Sequence, residues 1–411
     1  MNETNGQQGP TLARRIGPVL LTLYGVGTTI GAGIYVLIGA VADQAGAWTA
    51  YAFLLASVLA GLTALSFAEL SARMPKSAGE ALYVREALSS GRLALIVGLL
   101  VAAAGTVSAA SIVVGSIGYI QGFVDAPSWI IAVVLCLGLG GLAGWGIRES
   151  TTAAAVLTVI EIGGLALVIW AGTTAEITEG LPVSDIVWPH DPLPVVGLFA
   201  GAVLAFYAFI GFEDIVNVAE EVVRPARTMA IAIFGTLVVA GVLYLAVALV
   251  ALIVVPIADL SESRAPLALV FERSGGNPHL LAGIAVLATV NGVLVQMVMA
   301  SRVLFGLSRQ GGLPAWLGAV NATTRTPLTA TVLVVAAILA LALFYPIATL
   351  AGTTSLITLT VFALCNLALW RLKKMRPPPE GAINLPVWLP ILGALVSGTV
   401  LALELIRRFA G

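Results

Sequence analysis

Three acidic residues lie inside long apolar stretches of this sequence, where an unpaired charge is energetically costly. Glu161 is near the centre of TTAAAVLTVIEIGGLALVIWAG, and Glu213 and Asp214 follow a glycine in AFYAFIGFEDIVNV. Acidic groups in such surroundings are protonated, paired with a cation, or exposed to a polar cavity. The chemistry that they predict is the reversible binding of a proton or of another cation.

The composition places these residues in a membrane protein. Hydrophobic residues make up 59% of the chain and charged residues 10%, and the mean hydropathy is +1.03. An average soluble domain carries about 25% charged residues. The net charge of -1 and the lack of a basic cluster with interleaved aromatic residues argue against a nucleic-acid partner.

The residues needed for enzyme chemistry are missing from the sequence. Its two histidines are His190 and His279, and it contains no HExxH, GxSxG or Walker sequence. We therefore expect no enzymatic activity, no cofactor and no metal site. Cys136 and Cys365 lie in apolar runs, where a free thiol behaves as a small core residue, so we expect no disulfide.

Hydropathy predicts eleven membrane spans. A window of about 19 residues finds apolar runs near 17–41, 47–72, 93–123, 127–147, 152–175, 194–218, 228–256, 279–308, 328–345, 347–370 and 387–406. Pro346 separates the ninth run from the tenth, and we interpret it as part of a tight turn between two helices rather than as a kink.

The lysines and arginines predict the orientation of these spans. With a cytoplasmic N-terminus, sixteen of the twenty basic residues fall on the cytoplasmic side, as the positive-inside rule requires. The sequence therefore predicts a multi-pass protein of the cell membrane, inner or plasma, with its N-terminus in the cytoplasm.

The first span contains four glycines within nine positions, in GVGTTIGAG. Such glycines either let helices pack closely or interrupt the helix. A break in mid-membrane exposes backbone groups that hydrocarbon cannot satisfy, so it is tolerated only beside protein or a polar cavity. We predict a break here, with a second half-helix starting near Gly33.

The sixth span has a matching interruption five spans later. It runs apolar as far as Ile210, meets Gly211, and then carries Glu213 and Asp214 well before its end. Paired breaks at corresponding positions are typical of inverted-repeat transporters. Amides at the start of the first half-helix would bind an anion, and carbonyls freed between Phe209 and Gly211 would suit an ammonium group. The pattern predicts a site for a zwitterion near the bilayer midplane.

Four motifs resemble the amino acid-polyamine-organocation superfamily, and are most similar to its cationic-amino-acid-transporter-like and bacterial amino acid permease branches. They are GVGTTIGAGIYVLIGAVADQAG, SFAELSARMPKSAGEALYV, AFYAFIGFEDIVNVAEEVVRPART and ASRVLFGLSRQGGLPAWL. The resemblance implies an all-α transporter with a five-plus-five inverted repeat, discontinuous helices 1 and 6, and alternating access. It divides a single domain, 1–411, into a tail (1–16), two five-helix repeats (17–175 and 194–370) and an additional helix (387–406).

The same resemblance implies which residues bind the substrate. Backbone amides for the substrate carboxylate come from Ala32, Gly33 and Ile34. Near the amine it places Thr28, Thr29 and Ile30, with the carbonyls of Phe209 and Ile210. Gly31 and Gly211, at the two breaks, are further candidates for substrate binding. Tyr207 is either an aromatic gate over the substrate or a core aromatic. Ala32 adds no hydrogen-bonding group, which favours amino acids with neutral side chains.

The coupling ion is predicted from Glu161. Proton-coupled relatives are similar here but carry a lysine at the equivalent position, so this chain reverses the charge. Three interpretations stay open: Glu161 carries a proton, it coordinates sodium or a basic part of the substrate, or it is a neutral structural acid. Thr289 and Asn291 of the eighth span are its candidate polar neighbours, and Glu213 and Asp214 are further candidates for ion coupling.

Two charged or amphipathic segments outside the spans could act as gates. The sequence APLALVFE, after the seventh span, predicts a short helix that either covers an outer vestibule or lies in the interface. Acidic and basic residues gather at the cytoplasmic rim, where they either form gate ion pairs or are simply solvated; they are Glu69, Arg73, Glu220, Glu221, Arg224 and Arg227.

The favoured hypothesis is therefore a secondary active amino acid transporter that works by proton symport. Exchange of one amino acid or amine for another is the alternative within transport, and sodium is the alternative ion. A membrane sensor that binds without transporting is the alternative from another class. A channel is disfavoured because the polar residues concentrate at mid-membrane instead of forming a continuous pathway.

Overall fold

The fold is all-α across the part of the chain described by our computed structural model, which comprises residues 14–31, 33–76, 79–145, 151–175, 179–190 and 192–410. Within these residues nine helices are long and apolar enough to cross a membrane. Two shorter apolar helices are also present. Pro18–Ile30 is the first half of the first predicted span, and Leu328–Phe344 corresponds to the ninth predicted span. One of the nine, Gly33–Arg73, joins the second half of the first predicted span to the second span, and the division into eleven spans stays a prediction.

The first half of the chain supplies five spans and one surface helix. Its helices are α1 (Pro18–Ile30), α2 (Gly33–Ala45), α3 (Thr49–Arg73), α4 (Gly79–Leu88), α5 (Gly91–Gln121), α6 (Ser128–Trp145) and α7 (Thr151–Thr173). The halves α1 and α2 together form the first span, and α4 is the short helix between the second and third spans.

The second half supplies six spans and three short helices. Its helices are α8 (Val183–Val187), α9 (Val195–Phe209), a 3₁₀ helix (Phe212–Glu221), α10 (Pro225–Val254), α11 (Ile257–Glu262), α12 (Pro266–Arg273), α13 (Pro278–Arg309), α14 (Leu328–Phe344), α15 (Ile347–Met375) and α16 (Trp388–Ala410). The sixth span consists of α9 followed by the 3₁₀ helix.

The helix is interrupted between α14 and α15, beside Pro346. Helix α14 ends at Phe344, Tyr345 is extended with φ -125° and ψ 140°, and α15 begins at Ile347. The ring of a proline disfavours helical geometry in the residue before it, so Tyr345 leaves the helix and a new helix begins after Pro346.

Exposed tryptophans lie at or near helix ends, where the surface of a membrane protein meets the lipid headgroups. Six that are more than half exposed are Trp129, Trp145, Trp170, Trp188, Trp316 and Trp388. Tryptophan is enriched at both membrane interfaces because its ring is apolar and its N–H is polar. Their placement agrees with an integral membrane position for the helices between them.

The outer helix α12 packs against the transmembrane helices instead of lying free on the surface. Leu267 and Val270 have no exposed area, and the Leu267 N–H donates to the Tyr119 hydroxyl at 3.4 Å. That hydroxyl in turn donates to the Tyr35 carbonyl of α2. The interpretation of this segment as a cover over the outer side of the first span is therefore favoured.

The predicted cytoplasmic rim contains a buried ion-pair network. Both Arg73 of α3 and Lys373 of α15 donate to the Glu69 carboxylate, with nitrogen-to-oxygen distances of 2.6 Å. The Leu385 N–H adds a third donor at 2.9 Å, and Glu69 has no exposed side-chain area. This network joins α3, α15 and the segment before α16, so Glu69 and Arg73 are not simply solvated.

Another rim residue, Glu221, contacts the segment that leads into the first span. The Arg15 and Ile16 N–H groups both donate to the Glu221 carbonyl, at 2.8 and 3.0 Å, and the Val223 N–H donates to the Ile16 carbonyl at 2.9 Å. The beginning of the first span and the end of the sixth therefore meet at the same face. Glu221 acts here through its backbone.

Candidate functional site

The first span is broken where the glycines predicted. Helix α1 ends at Ile30, and Gly31 leaves helical geometry with φ 3° and ψ -93° while its N–H donates to the Gly27 carbonyl at 3.2 Å. Helix α2 begins at Gly33, as expected. Ala32 lies outside the described residues.

The sixth span is broken at Ile210 and Gly211. Ile210 is extended, with φ -66° and ψ 134°, and Gly211 has φ 127°, a conformation that is costly for any residue with a side chain. The half-helix that follows this break begins at Phe212, and it is a 3₁₀ helix rather than an α-helix. Its first bond, from Asp214 N–H to the Gly211 carbonyl at 3.1 Å, has the i to i+3 spacing of that form.

The two breaks contact each other directly. The Thr28 hydroxyl donates to the Gly211 carbonyl at 2.9 Å. A Cβ on Gly33 would lie 2.5 Å from the Ala208 Cα, and a Cβ on Gly211 would overlap the Thr28 carbonyl oxygen. Close packing and helix interruption, which the sequence offered as alternatives, are both present at these glycines.

One tyrosine satisfies backbone carbonyls at both breaks. The Tyr244 hydroxyl of α10 lies 2.8 Å from the Thr29 carbonyl oxygen and 2.9 Å from the Ala208 carbonyl oxygen, so its proton is shared between them. Sequence reasoning did not find this residue. The available indication was a tyrosine inside an apolar span, because a buried tyrosine hydroxyl usually has a hydrogen-bond partner.

We expect Tyr244→Phe to destabilise the protein, because it leaves two buried carbonyls without their donor. An unpaired buried polar group costs about 1–3 kcal/mol, so the apparent melting temperature of the purified protein should fall by several degrees. Tyr345→Phe, at a half-exposed tyrosine, is the matched control and should melt like the wild type. Equal melting of the two variants would contradict the role assigned to Tyr244.

A small cavity lies between the breaks and helices α5 and α13. Its volume is about 30 Å³, which is room for one or two water molecules. The break residues that line it are Gly27, Thr28, Thr29, Gly31, Gly33, Tyr207 and Ile210; the flanking helices add Ser108, Ile112, Asn291, Gly292, Val295 and Gln296. No charged side chain is among these described lining residues.

Four of the residues expected at the substrate lie behind this lining. Ile30, Ile34 and Phe209 are almost fully buried in the apolar core, and Gly211 is covered by its contact with Thr28. The sequence interpretation assigned most of them backbone roles, which do not require an exposed side chain. Apart from Asn291, which was expected beside Glu161, the α5 and α13 residues were missed because nothing in one sequence indicates which face of a uniformly apolar helix meets the cavity.

Tyr207 joins the sixth span to α5 at the edge of the cavity. Its hydroxyl lies 3.0 Å from Ser108 Oγ and donates to the Ser108 carbonyl at 3.1 Å. The ring is 4% exposed, so in this conformation it closes one wall of the cavity.

Glu161 is buried without a hydrogen-bond partner for either carboxylate oxygen within the described residues. Its side chain is 1% exposed, and the amide of Asn291 is adjacent to it. The Thr29 hydroxyl at the first break is also buried and unpartnered. Thr289, the other expected neighbour, instead donates within its own helix to the Val286 carbonyl at 3.0 Å.

Glu213 and Asp214 are held by polar groups of the second break. Glu213 accepts the Gly211 N–H at 2.8 Å and so supplies the partner that the interrupted helix has lost. Asp214 accepts from Asn217 at 3.4 Å and has the amide of Gln296 beside it. Because Gln296 also lines the cavity, it connects the cavity to this pair.

Two interrupted membrane helices around a mid-span cavity define a membrane transporter. The comparison with known proteins identifies it further: the profile of the amino acid permease family matches residues 16–407. The chain therefore belongs to this family, within the amino acid-polyamine-organocation superfamily, whose members are transporters and not enzymes.

Individual relatives agree with this assignment. The chain is 31% identical to a vacuolar cationic amino acid transporter 2 of Arabidopsis thaliana over 92% of its own length and 63% of the relative. It is 29% identical to the branched-chain amino acid permease BcaP of Bacillus subtilis over 93% of its length and 85% of the relative. It is 27% identical to a methylthioribose transporter of the same bacterium, over 95% and 88%. The chain thus spans slightly less than two thirds of the plant relative.

Proposed function

We propose that this protein is a secondary active transporter that carries amino acids across the cell membrane together with protons. The observation that carries the coupling is Glu161, a buried carboxylate beside the first break whose oxygens have no described partner. Family membership supports amino acids as the class of substrate. The N-terminus is proposed to lie in the cytoplasm because of the basic residues on that side.

The substrate is proposed to bind through its zwitterionic part at the two breaks. The amides at the start of α2, including those of Gly33 and Ile34, carry the partial positive charge of a helix N-terminus and suit a carboxylate. Carbonyl oxygens and the Thr28 hydroxyl on the facing side suit an ammonium group. Since the described lining contains no charged side chain, amino acids with neutral side chains fit best.

Binding requires the cavity to widen, which supports alternating access. A space for one or two waters is too small for an amino acid. We propose that the two broken spans move against α5 and α13, and that 17–175 and 194–370 are the inverted repeats that make the movement symmetrical. The contact between the Tyr207 and Ser108 hydroxyls would separate in this movement.

A proton suits Glu161 better than sodium does. Sodium needs several oxygen ligands arranged around it, and among the described residues no group of three or more Asp, Glu, His or Cys side chains is placed to hold a metal ion; a proton needs only the carboxylate itself. A carboxylate that lacks donors is more stable as the neutral acid. Glu161 therefore takes up a proton when buried and releases it when the site opens to water.

Uptake into proteoliposomes tests this function. Labelled neutral and basic amino acids are supplied separately under an inward proton gradient, an inward sodium gradient, or no gradient with unlabelled amino acid inside. We expect concentrative uptake of neutral amino acids with the proton gradient alone. Uptake only when amino acid is inside would establish exchange. Uptake driven by the sodium gradient would identify sodium, and not the proton, as the coupling ion. No uptake in any arm, while labelled neutral amino acids still bind the purified protein, would favour a sensor.

A further inference from the structure

A third buried carboxylate approaches the second break from outside the membrane spans. Glu80 is the second residue of α4, and its side chain is 7% exposed. It acts electrostatically on both Glu213 and Asp214. A Cβ on Gly79 would lie 3.4 Å from Asn217 Oδ1, so the start of α4 rests on the 3₁₀ helix that carries the other two acids.

No described cation compensates these three acids. Helix α15 faces them with the Cys365 thiol, while its Lys373 and the Arg73 of α3 are bound to Glu69. Helix α5, which also packs on α4, carries Arg92 at its exposed start and Tyr119 at its far end. Burial of several like charges without a cation is unfavourable, so this cluster holds at least one proton whenever it is closed.

A second observation points to the same place. Tyr83 lies one turn after Glu80 on α4, has no exposed area, and interacts electrostatically with both Glu80 and Cys365. Its hydroxyl is buried and has no hydrogen-bond partner among the described residues. An unpaired buried donor is costly, so this hydroxyl would gain a partner if the Glu80 carboxylate moved toward it.

Gln296 connects the cluster to the cavity between the breaks. Gln296 lines the cavity and has its amide beside Asp214. On the other side, α4 lies at the predicted cytoplasmic face, together with the Glu69 network. The three acids therefore occupy the path along which a substrate would leave the cavity toward the cytoplasm.

We propose that Glu80, Glu213 and Asp214 form a second proton-binding site, which keeps α4 closed on the 3₁₀ helix while protonated and opens that contact when it ionises. This second site is distinct from Glu161. Only its biological purpose rests on the proposed transport function. Opening brings water to the carboxylates, which removes the penalty for their charge, so proton release and opening favour each other.

The direction of the pH dependence follows from Glu80. Burial raises the pKa of Glu80 from 4.5 to about 7. In the open state its pKa returns toward 4.5, so between these values opening releases a proton. The closed contact is therefore favoured at the acidic end of this pH range. As the pH rises from about 4.5 to about 7, the equilibrium constant for closing falls by up to tenfold for each pH unit. Below about pH 4.5 and above about pH 7, Glu80 no longer makes the opening equilibrium depend on pH.

Amide hydrogen exchange of α4 in the full-length protein tests the proposal without any substrate. Exchange rates corrected for the intrinsic effect of pH give the opening equilibrium of this helix. In the wild type it should rise between pH 5 and 7, and Glu80→Gln should reduce the slope. Glu86→Gln, at an exposed glutamate of the same helix that pairs with Arg376, should keep the wild-type slope.

The outcomes separate this proposal from the transport function. A wild-type α4 whose opening does not change with pH, or a Glu80→Gln variant with an unchanged slope, overturns the second site even if uptake is proton-driven. If Glu80→Gln does not fold, Asp214→Asn must reduce the slope instead, and an unchanged slope there also overturns it. A pH-dependent α4 in a protein that takes up no amino acid would support the site and contradict the proposed function.

Discussion

Glu161→Gln is expected to abolish amino acid uptake driven by a proton gradient and to leave counterflow exchange within about twofold of the wild type. Glutamine keeps the shape of a neutral glutamic acid but cannot release a proton. The loaded carrier therefore still exchanges substrate for substrate, whereas the gradient has no group on which to act. The measurement is the initial rate of labelled uptake in the two assays with equal amounts of reconstituted protein.

This experiment needs a control variant, and two results would contradict the role assigned to Glu161. Glu380→Gln changes an exposed glutamate and should leave both assays unchanged. Loss of counterflow together with uptake would assign Glu161 a structural or substrate-binding role. Retention of proton-driven uptake would show that another group carries the coupling proton.

Gly211→Ala is expected to reduce transport by at least tenfold and to lower the melting temperature. Gly211 has φ 127°, which costs an L-residue about 1–3 kcal/mol. The added Cβ would also overlap the carbonyl of Thr28, so the contact that joins the two breaks must separate. Both transport rate and thermal stability are measured on the purified variant.

Gly163→Ala provides the matched substitution for this test. Gly163 lies in the transmembrane helix α7, where a Cβ would meet no atom within 4 Å, and alanine is the better helix former. We expect its transport and stability to equal or exceed those of the wild type. Normal transport by Gly211→Ala would mean that the two breaks do not need their close contact.

The spans and both breaks could be predicted from the sequence because their causes are local. Apolar length defines a span, glycines permit departure from the helix, and Pro346 ends one. The acidic pair after Gly211 marked the second break because hydrocarbon alone would not tolerate it. The 3₁₀ form of the half-helix after Gly211 could not be predicted from the sequence. The Glu213 carboxylate accepts the Gly211 N–H, and this contact depends on how the Glu213 side chain is oriented.

The remaining site residues depend on contacts between distant parts of the chain. Tyr244 and Ser108 are unremarkable within their own helices, and their functions arise only from the carbonyls and hydroxyls that they meet. Lys373 is one of the sixteen basic residues on the predicted cytoplasmic side, but its partner Glu69 is 304 positions away, so the sequence did not indicate their pairing. Glu80 was not singled out because a glutamate in a short polar helix is usually solvated. Glu80 differs from such a residue because the 3₁₀ helix helps to bury it, and a hydropathy pattern does not show this burial.

The most direct test of the central claim is the pH inside proteoliposomes during uptake. Vesicles that contain a pH-sensitive dye are prepared without any gradient, and the neutral amino acid with the highest uptake is added outside. We predict acidification of the lumen in wild-type vesicles and none in vesicles with Glu161→Gln. Uptake by the wild type without a change in internal pH would contradict proton symport.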